Sequence, residues 1–166
     1  ELRKKDDEWS LVIKGKLPHD YPWMLAASRR LELNYYDDQY KRIKTSKYLK
    51  GAVEFEGYTL TITEFFIKLG YVISPSDFES FHYTIADGVS AGNFPVIWPW
   101  EGADELYPEE WVINDVKNAA RAMLTHSQLP EKERQKQVEE RFEKVRSRYD
   151  IEVVFPQLTD ALFGER

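Results

Sequence analysis

Glu79 and Asp87 stand eight positions apart within YVISPSDFESFHYTIADGVSAGNFPVIW, residues 71–98. On a helix rising about 1.5 Å per residue, that separation spans about 12 Å. It approximates the distance from a sugar ring to a nucleoside ribose across a diphosphate. Glu79, at the mouth of the helix, would hold hydroxyls of the sugar. The N–H groups of Phe81, His82 and Tyr83 would face the diphosphate, with the helix dipole adding to them. Asp87, two turns deeper, would accept hydrogen bonds from both ribose hydroxyls. Two bare carboxylates at this spacing are more often an acid near a helix start and another on its solvent face. The flanking residues are what raise the pair above that.

Those flanks are a β-branched run, Tyr71 to Ile73, ending in a Ser-Pro-Ser loop, then a helical stretch opened by Glu79. Gly92 ends the stretch, and Pro95 to Trp98 read as a second strand. Strand, acidic loop, helix and strand bring a helix N-terminus beside a ligand. Elsewhere the patterns also alternate. Trp9 to Lys14 and Ala52 to Phe55 read as short strands, closed by Gly15 and Gly57. Pro18 to Asp20 can start a helix; the Tyr-rich tract 29–50 is read as helix with a loop, and 60–69 as a short helix. After an aromatic loop come Trp111 to Ile113 as strand and Asp115 to about Thr125 as helix. Pro130 begins a charged helix whose apolar face is Val138, Phe142, Val145 and Tyr149, expected to lie on a sheet. A closing helix covers about Val154 to Leu162. Strands separated by helices imply an α/β fold with a Rossmann-like, doubly wound parallel sheet, in one domain over residues 1–166.

Composition narrows the function. The chain has 166 residues, enough for one real core, and 42% hydrophobic residues. A net charge of −6 speaks against nucleic acid, whose phosphates need a basic surface. Cysteine is absent, which removes disulfides, thiolate metal sites and cysteine nucleophiles and fits a reducing, cytoplasmic setting. No apolar run approaches the roughly 20 residues of a membrane span. His19, His82 and His126 are scattered, so no metal site is expected. Asp6-Asp7 and Asp37-Asp38 lie in polar tracts and read as solvated. Arg29, Arg30, Lys41, Arg42, Lys44 and Lys47 would allow at most peripheral membrane contact and read better as a solvated helix. The charged start at Glu1, without methionine, is expected of a piece of a longer protein.

The central segment resembles the donor-binding half of retaining glycosyltransferases of the two-Rossmann (GT-B) architecture, especially family four. Against their pattern, P-S-x-x-E-x-F-G-x-x-x-x-E-x-x-A-x-G-x-P-V, this chain reads Pro75, Ser76, Glu79, Phe81, His82, Asp87, Ser90, Ala91, Gly92, Pro95 and Val96. LVIKGK (11–16) is similar to the family's strand ending in G-x-G, VEFEGY (53–58) to its V-x-F-x-G strand, and 111–124 to the strand and helix after the sugar loop. The resemblance implies a nucleotide-diphosphate-sugar substrate and no cofactor or metal. It implies donor contacts from Ser76, Glu79, Phe81, His82, Tyr83 and Asp87, with Glu79 the catalytic residue. Lys16, Tyr58, Trp100 and Gly102 are secondary candidates, the last two on the loop the family uses near the sugar. It also implies a partner, the acceptor-binding domain of the same protein. Departures are Asp87 for Glu, His82 for Gly, Lys16 for the second Gly of G-x-G, and an extra residue between Gly92 and Pro95. The family's phosphate-neutralising Arg and Lys have no match here and are expected upstream of residue 1. The alternatives are a non-catalytic GT-B-like partner or regulatory domain, and a related phosphorylase or nucleotide-sugar epimerase; the phosphorylases' pyridoxal-bearing lysine motif is not visible.

Overall fold

A computed structural model of the chain describes residues 1–164. It is α/β, and it divides into two compact units, residues 1–60 and residues from 61 onward.

In the first unit, β1 (Leu11–Lys14) pairs in parallel with β2 (Val53–Glu56), with Leu11 opposite Val53 and Lys14 opposite Glu56. The last pair is also an ion pair, Lys14 Nζ to Glu56 Oε2 at 2.8 Å. Gly15 ends β1 with φ 138°, a backbone state that a side chain would disfavour. The connection is three short 3-10 turns (Pro18–Asp20, Pro22–Leu25, Ala27–Arg29) and the helix α1 (Arg30–Thr45). The helix expected from Pro18 is therefore a 3-10 turn, because Pro22 follows within four residues and interrupts it. No residue of α1 is buried, and Met24 and Ala52 are the buried hydrophobics of residues 1–60.

The second unit contains α2 (Ile62–Phe66), β3 (Tyr71–Ser74), α3 (Tyr83–Ser90), β4 (Phe94–Ile97), α4 (Ala103–Leu106), α5 (Val116–Ser127), α6 (Glu131–Tyr149) and α7 (Ile151–Phe163). β3 and β4 pair in parallel, Val72 opposite Pro95 and Ile73 opposite Val96. Proline is tolerated in β4 because its missing N–H is one the ladder can spare at an edge. Residues 111–113 are not a full strand: Glu109–Trp111 is a 3-10 turn, and a single parallel bridge joins Val112 to Ile97. Among the described residues, parallel pairing is thus confined to two two-stranded ladders and that bridge, where the sequence pattern implies one continuous sheet.

The core of this unit gathers Phe66, Val72, Ile85, Val89, Ile97, Trp100, Tyr107, Trp111 and Val145. Burying each such side chain contributes about 1.5–3 kcal/mol, which holds α3 on β3 and β4. Gly88 lets the helix come close, since a Cβ there would stand 2.8 Å from Val72 Cβ. Asn93 is buried and donates from Nδ2 to Phe66 O (3.0 Å) and Leu69 O (2.6 Å), tying the turn before β4 to the end of α2. Asp115 caps α5 by accepting from Lys117 N at 2.6 Å, and Asp150 caps α7 from Glu152 N at 2.9 Å. The apolar face of α6 rests mainly on α3, not on a sheet as its pattern suggests. Among the described residues no helix is long and apolar enough to cross a membrane.

Candidate ligand-binding site

β3 runs out at Ser74, which is fully buried, and the chain turns through Pro75 into a loop that ends at His82. Ser76 Oγ donates to Glu79 Oε1 at 2.8 Å. Ser74 Oγ and His82 Nδ1 share a short hydrogen bond, and the same ring nitrogen lies 3.9 Å from Glu79 Oε1. Ser74, Ser76, Glu79 and His82 therefore form one polar cluster at the C-terminal end of β3. That is the end of the strand where open α/β sheets place ligands. Glu79 Oε2 has no hydrogen bond among the described residues, and the Glu79 side chain is 31% exposed. It can accept from a bound hydroxyl.

His82 is the one non-glycine residue with positive φ (32°, ψ 73°) among the described residues. An L-residue pays about 1 kcal/mol for that conformation. Three contacts hold it there: the bond to Ser74, Tyr107 OH donating to His82 O at 3.1 Å, and Ile85 N donating to the same oxygen at 3.0 Å. Glycine would adopt this state without strain, whereas the histidine is held in it by these contacts. The imidazole turns back toward Ser74 and Glu79.

The helix start differs from the sequence reading. α3 begins at Tyr83, and Glu79 lies in the preceding loop. The left-handed turn at His82 is the physical reason: regular helix cannot pass through it. The 12 Å helical spacing from Glu79 to Asp87 therefore does not apply. Asp87 is the fifth residue of α3 and is exposed, yet partial desolvation raises its carboxyl above the usual range. No side chain caps α3. The start of an eight-residue helix, the loop N–H groups before it and Glu79 thus lie together, while Asp87 sits a turn along.

The other candidates are placed as follows. The Phe81 ring packs into an aromatic cluster, 4.8 Å from Tyr83, 4.8 Å from Tyr149 and 5.9 Å from Tyr107 between centroids. Its backbone remains in the loop. Tyr83 is exposed. Trp100 is buried in the core, and Gly102 takes a left-handed turn (φ 89°) at the start of α4. Lys16 and Tyr58 belong to the first unit; Lys16 Nζ sits 5.8 Å from the Tyr21 ring centroid, and Tyr58 is exposed. No group of three or more His, Cys, Asp or Glu that could hold a metal occurs among the described residues.

Sequence reasoning missed Ser74 and Tyr107. Ser74 had a signal, a polar residue ending an apolar strand and aimed inward by the alternation of the pleat. Tyr107 had none, since its role depends on contact across 25 positions with His82. Burial, and next the Tyr149 phenol beside it, raise the Tyr107 pKa, so the phenol stays a proton donor. No family model, curated protein or solved structure matches the chain.

Proposed function

We propose that residues 74–92 bind the donor of a retaining glycosyl transfer, a nucleotide-diphosphate sugar. The observation that carries this reading is the Ser74–Ser76–Glu79–His82 cluster, joined at the end of β3 to the uncapped start of α3. It offers a carboxylate for sugar hydroxyls beside N–H groups for a diphosphate. Further support comes from strand order. In one unit β2 pairs in parallel with β1, and in the other β3 pairs in parallel with β4, which is bridged in turn to Val112, the parallel pairing that doubly wound sheets use. On this reading a phosphate-neutralising loop and the acceptor-binding domain come from outside residues 1–166, and the setting is cytoplasmic.

In the transfer, the acceptor oxygen bonds to the anomeric carbon as the bond to the diphosphate breaks, on the same face. The acceptor's proton passes to the departing diphosphate. The roles left to this chain are to orient the sugar through Glu79 and to stabilise the leaving group through N–H dipoles. A second reading, binding without transfer, is favoured by His82, whose side chain stands where the resembled pattern has none.

Titration of the chain with nucleoside diphosphates and their sugars, followed by NMR, tests the assignment. Shifts are expected in residues 76–84. Asp87→Asn should weaken the nucleoside diphosphate itself, while Glu79→Gln should spare it and weaken only the sugar-bearing form. Each loss should be about 1.5–3 kcal/mol. Binding of adenine dinucleotides with no binding of any nucleoside diphosphate or its sugar overturns the reading.

A further inference from the structure

The first unit contains a cavity of about 430 Å³ between α1 and β2, remote in sequence from Glu79. Its apolar wall is Leu17, Ile43, Val53 and Phe55. The Tyr40 ring stands edge-on to Phe55, 5.4 Å between centroids at 87°, an aromatic corner that suits a third ring. Lys44 and Lys50 also line the cavity, and no acidic residue does. Neither lysine has a carboxylate within ion-pair distance among the described residues. Asp37, on the same helix, is engaged by His19 at 3.2 Å. In an acidic chain of net charge −6, two free ammonium groups over an apolar slot form a local reversal of sign.

We propose that this cavity is a binding site for a flat aromatic anion, a ring system bearing one carboxylate or similar acid. The ring would stack on one of Phe55 and Tyr40 and meet the other edge-on, and the acid would meet Lys44 and Lys50. The volume lies at the lower end of the range for small-molecule sites, which suits a bicyclic ring better than a long chain. Its opening to solvent argues the same way, because a lipid tail needs an enclosed tunnel. The acids of α1 and β2 (Glu32, Asp37, Asp38, Glu54 and Glu56) are all outside the cavity lining. This site is independent of the glycosyl-donor reading.

Naphthalene-2-carboxylate and its neutral amide, titrated into the chain and followed by NMR, separate the ring from the charge. The acid should bind at least tenfold more tightly than the amide, with shifts centred on Ile43, Gly51 and Phe55. Lys44→Gln/Lys50→Gln, at two exposed positions that leave the fold unstrained, should erase that preference and leave amide binding unchanged. Added salt should weaken the acid and not the amide. Equal affinity for acid and amide in the wild type, shifts centred elsewhere, or a preference that survives the double substitution overturns the proposal. Failure of nucleoside diphosphates to bind near Glu79 leaves it standing, since the shifts report separate residues.

Discussion

His126 shows how one buried residue sets a response to pH. It is 8% exposed, its Nδ1 is 3.1 Å from Tyr71 OH, and its ring lies 4.4 Å from Phe94 between centroids. Burial first, then the charges of Arg141 and Arg134, lower its pKa to about 4. The unfolded chain therefore holds this proton more tightly than the fold does. Stability from this residue is complete above about pH 6.5, is lost as pH falls toward 4, and is level below that. The loss amounts to about 3 kcal/mol. Denaturant unfolding measured across that interval should show it, and His126→Gln should flatten the slope while lowering stability at neutral pH. Arg141, equally buried, was invisible to pattern reading because charged helices usually present Arg to water. Its position between Val138 and Val145, at helical spacing, was the available signal. At the candidate site Glu79 and Ser76 were legible from local order. The left-handed state of His82 was not, since a histidine carries no sign that distant groups will force it there.

Elements were easier to read than their ends or partners. The four strands among the described residues each carry Val or Ile and adjoin a glycine within a few residues, and the expected helices at α1, α5, α6 and α7 exist. The start of α3 is four residues later than expected, and α6 covers a helix where a sheet was expected, because sequence period fixes which face is apolar and not what meets it. Gly88 links the two scales. Alanine normally favours a helix over glycine by about 1 kcal/mol. Here the added methyl would meet Val72 Cβ and Cγ1 at 2.8 Å, so α3 must move away from β3. Gly88→Ala should destabilise the second unit by about 1–3 kcal/mol in a thermal or denaturant melt. Val72→Ala should not rescue it, because the closest atom is Val72 Cβ itself. The same shift should alter the NMR signals of His82 and Glu79, whose loop is carried on that helix.

Across the whole chain, burial is uneven. Of the first sixty residues, the buried ones among those described are Met24 and Ala52, whereas the second unit has a continuous core. Small units with so little core are marginal by themselves. Native-state hydrogen exchange should therefore find the slowest amides in β3, β4, α5 and α6, and rapid exchange in β1 and β2. Equal protection in the two units would contradict this distribution. The α/β alternation that suggested the fold gave no hint of it, because a four-residue strand looks the same in sequence whether or not anything covers it. One further feature bears on the behaviour of concentrated solutions. Along α7, Ile151, Val154, Phe155, Leu158 and Leu162 follow helical spacing and are all exposed, 37% to 69% of each. Acidic repulsion keeps such chains apart in dilute buffer, and salt screens it. Sulfate also strengthens the mutual attraction of oily surfaces. Both effects of salting push the same way, so the chain's solubility limit should fall steeply as ammonium sulfate is added, with the oily seam of α7 the expected first point of contact.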